Sequence, residues 1–121
     1  MKIVGIFAVI ALVIYCGYKA YSTANVDADL SKHLKQNPII LDVRTVSEFS
    51  GGHIAGAVNI PLSQLKTSAL SALTGKRPII TCCSHGLRSI KAVEVLKKRG
   101  FTHVYNGGAW TELEGKLAVQ K

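Results

Sequence analysis

The sequence predicts an α/β domain, a doubly wound, mainly parallel sheet flanked by helices, preceded by one hydrophobic N-terminal helix. Three observations predict it. Short apolar, β-leaning runs recur at 39–43, 57–60, 78–81 and 103–105. Segments with helical periodicity alternate with them, as crossover connections between parallel strands require. Ahead of all this runs a stretch from Ile3 to Tyr18 with no charged residue. At 121 residues, with 48% apolar and 18% charged side chains, the chain has room for one core and this segment.

The N-terminal run is bounded by Lys2 and Lys19. As a helix its sixteen residues extend about 24 Å at ~1.5 Å each, a little less than the ~30 Å hydrocarbon core. Lysines at both ends can snorkel, and Tyr15, Tyr18 and Tyr21 suit an interface. Ser22-Thr23-Ala24 also offers the small residues of a cleavage site, the competing signal-peptide reading. The single n-region lysine and the length of the run favour a retained anchor. Cys16 follows Tyr15, where lipid attachment expects a small residue. The expectation is a single-pass protein of the bacterial inner membrane, or a periplasmic or secreted one if residues 1–24 are removed. Lys19, Lys32 and Lys35 on the domain side favour a cytoplasmic domain, and three cysteines without paired spacing agree.

Residues 1–21 thus form the hydrophobic segment, 22–25 a polar linker and 26–121 the domain. From Asp27 a helix carries Leu30 and Leu34 on one face, and Asn37-Pro38 ends it. Ile39 to Val43 reads as a fully buried strand interrupted by Asp42. Thr45 to Phe49 reads as a helical turn, with Thr45 and Glu48 spaced as a capping box and Gly51-Gly52 ending it. Ala57 to Ile60 is the second strand, closed by Pro61. Residues 62–74 are expected to be helical, with Leu62, Leu65, Leu70 and Leu73 facing inward. Pro78 to Thr81 is the third strand. Ser89 to Arg99 is a helix with Ala92, Val93 and Leu96 on one side and Lys91, Glu94 and Lys98 on another, ended by Gly100. His103 to Tyr105 is the last strand, and Gly107-Gly108 is expected to turn into a final helix carrying Trp110, Leu113 and Leu117.

Between the third strand and its helix stands Cys82-Cys83-Ser84-His85-Gly86-Leu87-Arg88. A cysteine at that junction meets unpaired backbone N–H groups and the positive end of a helix dipole. Such a setting favours the thiolate, which is the reactive form. In doubly wound sheets the functional site lies beyond the strands' carboxyl ends, so Arg44 and Cys83, each following a strand end, can meet at one edge.

These residues resemble the rhodanese-type sulfurtransferases, whose active-site loop reads Cys-x-x-Gly-x-Arg/Ser-Ser/Thr. Aligning Gly86, Arg88 and Ser89 makes Cys83 the family's catalytic cysteine. Leu41-Asp42-Val43-Arg44, Glu48-Phe49, Gly52-His53-Ile54-Ala55-Gly56-Ala57, Asn59-Ile60-Pro61 and Tyr105-Asn106-Gly107-Gly108-Ala109-Trp110 match further family segments in order, over residues 26–118. The resemblance implies transfer of sulfane sulfur from thiosulfate or a persulfide donor to a thiol or cyanide through a Cys83 persulfide. Ser84, His85, Gly86, Leu87 and Arg88 form the implied substrate-binding loop, with Asp42 and Arg44 as supporting residues. Backbone N–H groups can hold an anionic persulfide without attacking it, and Gly86 permits the tight turn. Arg88 offers fixed charge to an anionic donor, or else pairs with Asp42 or another carboxylate. His85 either tunes the loop or is an ordinary exposed histidine. Asp42 and Arg44 equally suit a role in bracing the strand end.

Two other classes compete. Cys82 to Arg88 is literally Cys-x5-Arg, the signature of cysteine-dependent phosphatases and some arsenate reductases, although Thr81 stands where that signature carries histidine. A non-catalytic, persulfide-carrying or binding module is the other. His33, His53 and His103 show no metal-ligand spacing, and Trp110 with its leucines reads as core, so no metal and no cofactor is expected. The net charge of +8 favours anionic donors and anionic membrane surfaces. No aromatic platform or basic cluster points to nucleic acid. The expected partners are a small sulfane-sulfur donor, a thiol acceptor and the membrane.

Overall fold

The computed structural model describes residues 2–120. Helix α1 (Lys2–Ala24) is followed by α2 (Leu30–Leu34), β1 (Ile39–Asp42), α3 (Val46–Ser50), β2 (Val58–Asn59), β3 (Ile79–Cys83), α4 (Arg88–Lys98), β4 (Val104–Ala109) and α5 (Trp110–Gln120). The strands form one parallel sheet in the order β2-β1-β3-β4. From its centre the chain winds outward in both directions, to β2 on one side and to β4 on the other. The switch point therefore falls between the carboxyl ends of β1 and β3, where Asp42 pairs in register with Cys82.

Alternation along the strands makes two cores. Ile39, Leu41, Val43, Ile79 and Cys83 face Leu65, Leu70, Leu73 and the α4 residues Ala92, Val95 and Leu96. Ile40, Ile80 and Cys82 face Leu30 and Leu34 of α2 and Leu113 of α5. Adjacent cysteines thus lie in different cores. Helices α2, α4 and α5 each bring apolar side chains to one face of the sheet, which is the arrangement that the strand-helix alternation demands.

Four expectations need amendment. Residues 62–74 are not one helix but two 3₁₀ turns, Leu62–Gln64 and Ser71–Leu73. Their leucines recur at intervals of three, five and three, a poor match to one helical face. Arg99 Nη1 donates to the carbonyls of Leu65 (3.0 Å) and Ser68 (2.7 Å), tying the irregular connection to the end of α4. Leu65, Leu70 and Leu73 are nonetheless buried. Gly107 and Gly108, expected in a turn, lie inside β4. A Cβ at Gly107 would stand 2.6 Å from Ile80 Cγ2 and 2.8 Å from the Thr81 carbonyl oxygen, so only glycine lets β4 close on β3. The pairing register shifts there, with three steps from Asn106 to Ala109 against two from Thr81 to Cys83. The last strand accordingly runs to Ala109, beyond the expected end at Tyr105. Finally, Ser22 to Ala24, expected as linker, are the closing turn of α1.

Candidate functional site

β3 ends at Cys83 and α4 begins at Arg88, so Ser84 to Leu87 must reverse the chain within four residues. Gly86 achieves this with φ +88°, a conformation that side-chain-bearing residues resist. The turn folds over the Cys83 sulfur. Gly86 N–H donates to Sγ at 3.0 Å, and the Ser89 N–H, in the first turn of α4, donates at 3.4 Å. The loop is closed behind this cradle by Ser89 Oγ–H, which donates to the Gly86 carbonyl (3.1 Å). Thr81 Oγ–H in turn donates to the Ser89 carbonyl (2.9 Å). Backbone donors converging on a sulfur suit an anionic sulfur, whether a thiolate or the outer atom of a persulfide.

Cys82 is placed otherwise. It is fully buried among Leu30, Leu34, Ile40, Ile54, Ile80 and Leu113 on the opposite face. Burial, and then the Asp42 carboxylate, push its thiol above the ordinary range, which disfavours the reactive thiolate.

Arg88 does not stand free for a donor. Its guanidinium grips Glu48 bidentately, Nη1 to Oε1 at 2.8 Å and Nη2 to Oε2 at 2.9 Å, and Nη2 also donates to Ser84 Oγ at 3.1 Å. Ser84 Oγ–H donates to Glu48 Oε2 (2.8 Å), while Thr45 N–H and Oγ–H both donate to Oε1. Arg88 first, then Ser84 and Thr45, hold the Glu48 carboxyl well below the usual carboxylate range. Of the alternatives that the sequence left open for Arg88, the carboxylate pairing is present, with Glu48 as partner in place of Asp42. Glu48 is thus a site residue that the sequence showed as half of the capping box, which is itself present, and as part of a family-matching segment, without a role at the loop.

Asp42 and Arg44 form their own buried unit. Arg44 Nε and Nη2 bind the Asp42 carboxylate at 2.7 to 3.1 Å. The same guanidinium donates to the carbonyls of Gly52 (2.7 Å) and Glu48 (3.2 Å) and lies 4.8 Å from the Trp110 ring. Through the Glu48 carbonyl it steadies the helix that presents Glu48 to the loop. Asn59 Nδ2 donates to the carbonyls of Asp42 and Arg44, tying β2 to the same corner.

His85 and Leu87 are exposed at the rim. The His85 ring meets the Tyr18 ring edge-on, with centroids 6.0 Å apart, and Tyr18 O–H donates to the His85 carbonyl at 2.9 Å. No sequence signal foretold this contact from α1. A cleft of about 550 Å³ between Leu34, Arg77, Ile54 and Leu117 opens at the other end of the sheet and carries no nucleophile.

Residues 26–112 match the family model of the rhodanese-like domain. The chain belongs to the rhodanese-like family. It is 43% identical over 83 residues to the Bacillus subtilis protein YqhL, itself uncharacterized, a match spanning 68% of this chain and 65% of that one. It is 34% identical over 74 residues to the thiosulfate sulfurtransferase PspE of Escherichia coli, spanning 60% of this chain and 71% of that protein. Among solved structures, an Escherichia coli rhodanese with anions superposes with a TM-score of 0.57 at 32% identity, covering 62% of this chain and 89% of that one. The sulfurtransferase character of the family and the parallel sheet flanked by helices agree with the reading of the sequence. The N-terminal helix is long and apolar enough to cross a membrane.

Proposed function

We propose that this rhodanese-like protein is a membrane-anchored sulfurtransferase with Cys83 as its nucleophile and residues 26–121 as its catalytic domain. The observation that carries the reading is the cradle itself, in which the Gly86 and Ser89 N–H groups converge on Cys83 Sγ. The thiolate attacks the outer sulfur of thiosulfate; the S–S bond breaks and sulfite leaves with the bonding pair. Cys83 is left as a persulfide, whose terminal anionic sulfur the backbone donors stabilise. An acceptor thiolate or cyanide then attacks that sulfur, forming a new persulfide or thiocyanate and returning the Cys83 thiolate. Ser84 to Arg88 form the wall of the cradle. Glu48 neutralises Arg88, so the donor meets N–H dipoles more than free charge, and a persulfide donor suits the loop as well as thiosulfate. Asp42 and Arg44 act at one remove, by holding α3 and the strand end.

Retention of α1 in the working protein is supported by its contacts with the domain. A removed leader has no need of the Tyr18–His85 hydrogen bond or of the ion pair between Lys19 and Glu112 at 3.1 Å. The test of the chemistry is peptide mass spectrometry after incubation with thiosulfate. One added sulfur on the peptide bearing Cys83 is the expected result, and an unmodified Cys83 in a folded protein would overturn it.

A further inference from the structure

Helix α1 carries an uncharged apolar stretch from Ile3 to Tyr18, and its large side chains from Ile3 to Tyr15 are exposed. Among the described residues of α1, Tyr18 and Ser22 are the two that are partly buried. At a spacing of four they share one helix face, and both meet the Cys83 loop. Tyr18 O–H donates to the His85 carbonyl, and the Ser22 side chain lies 3.5 Å from where a Cβ on Gly86 would stand. Gly86 is the residue whose N–H reaches the nucleophilic sulfur.

The helix is also fastened beyond this face, so its direction relative to the domain is defined. Lys19 pairs with Glu112 of α5. Just past the helix, Asn106 Nδ2 donates to the Asn25 carbonyl (2.7 Å) and Asp27 N–H to the Asn106 carbonyl (3.1 Å), along the irregular part of β4. The end of the apolar helix therefore touches the active-site loop directly, and the residues just past it are bonded to β4. With residues 3–18 in hydrocarbon, Tyr18 stands at the interface, where tyrosine is enriched. The loop is then one tyrosine side chain from that boundary. Leu87, 44% exposed on the loop, is an apolar side chain available to the same layer.

We propose that the Cys83 loop docks on the lipid headgroup layer, held there by Tyr18 and Ser22, and exchanges sulfur at the membrane surface. The inference rests on the membrane reading of α1 given above. Its occupant is the bilayer, and its consequence is that donor and acceptor approach Cys83 along that surface. Small soluble thiols approaching from the bulk reach the loop less readily than sulfur presented at headgroup depth.

The experiment measures depth without depending on sulfur transfer. Full-length protein carrying Cys16→Ser, Cys83→Ser and Leu87→Cys is labelled with bimane and reconstituted into phosphatidylcholine vesicles containing a headgroup nitroxide lipid. A matched protein carries Lys76→Cys instead, before β3 and so at the opposite end of the sheet. Quenching several-fold stronger at position 87 than at 76 is expected. In a Tyr18→Ala, Ser22→Ala background that still floats with vesicles, quenching at 87 should fall towards the level at 76. Equal quenching at both positions in protein that floats overturns the docking and leaves the anchor standing. Protein that fails to float overturns the anchor itself, and the docking with it. Unchanged quenching in the double-alanine background removes Tyr18 and Ser22 from the role.

Discussion

The Glu48–Arg88 clamp makes the sharpest test of how the loop works. Two readings assign Arg88 opposite consequences. If it closes the loop by gripping Glu48 and Ser84, then Glu48→Gln and Arg88→Ala break the same structure. If it binds an anionic donor, Glu48→Gln frees it for thiosulfate. The geometry favours the first, since both terminal guanidinium nitrogens, Nη1 and Nη2, are engaged at 2.8 and 2.9 Å. Both side chains are 36% exposed, so water screens the pair in part. Exposed pairs contribute about 0.2–1 kcal/mol and well-buried charged hydrogen bonds about 1.5–3 kcal/mol. A bidentate, half-screened clamp falls between, near 1–1.5 kcal/mol, or about 5–8 °C in Tm for a domain of this size. Each single variant should lose roughly tenfold in kcat/KM for thiosulfate, and the double variant little more, because the two act as one unit. The assays are thermal unfolding and thiosulfate-to-cyanide turnover across the double-mutant cycle. A fall in KM for thiosulfate in Glu48→Gln beside a rise in Arg88→Ala would refute the clamp. The sign with pH follows from Glu48. Its carboxyl is lowered in the fold, so its contribution is complete above the ordinary carboxylate range, near pH 4.3, and fades as pH falls through the lower folded value. The Tm gap between the parent and Glu48→Gln should therefore be full at pH 7 and shrink below about pH 4.

Further outcomes test the remaining parts. Cys83→Ser should abolish both the sulfur adduct and turnover, whereas Cys82→Ser should keep most activity and lose about 1–3 kcal/mol for a hydroxyl buried in an apolar core; activity lost in Cys82→Ser and kept in Cys83→Ser would restore the Cys-x5-Arg phosphatase reading. Gly107→Ala should lower stability by at least ~1–3 kcal/mol through overpacking against Ile80 and the Thr81 carbonyl, read by denaturant unfolding; a neutral result would show that β4 can shift. The full chain should sediment with membranes and resist high-salt extraction, while a chain starting at Asn25 should be soluble, folded and able to turn over thiosulfate. Recovery of mature protein beginning at Asn25 from a soluble fraction would identify residues 1–24 as a signal peptide.

Much of this protein is determined by interactions among near neighbours, and those are readable from sequence. The Thr45–Glu48 capping box formed because both partners lie within one helical turn. The end of α4 is set by Gly100, where the Gly100 N–H bonds to Lys97 and the Phe101 N–H to Leu96 in a Schellman closure. The division of Cys82 and Cys83 between two cores follows from the period of a strand alone. The reversal of direction that cradles Cys83 depends on a glycine three residues on, which the sequence displays. Tertiary structure decided what depends on residues far apart along the chain. Glu48 reaches Arg88 across 40 positions and Tyr18 reaches His85 across 67, and no periodicity or motif spacing encodes which face of one element lands on another. The segment 62–74 is broken into two short turns although its leucines are buried, and the Arg99 guanidinium bound to its carbonyls comes from a helix after the next strand. Gly107 has its meaning only when Ile80 is packed against it. Local backbone preferences write the elements and the Cys83 loop, whereas the partner of Arg88 and the position of that loop against α1 are set by packing at long range.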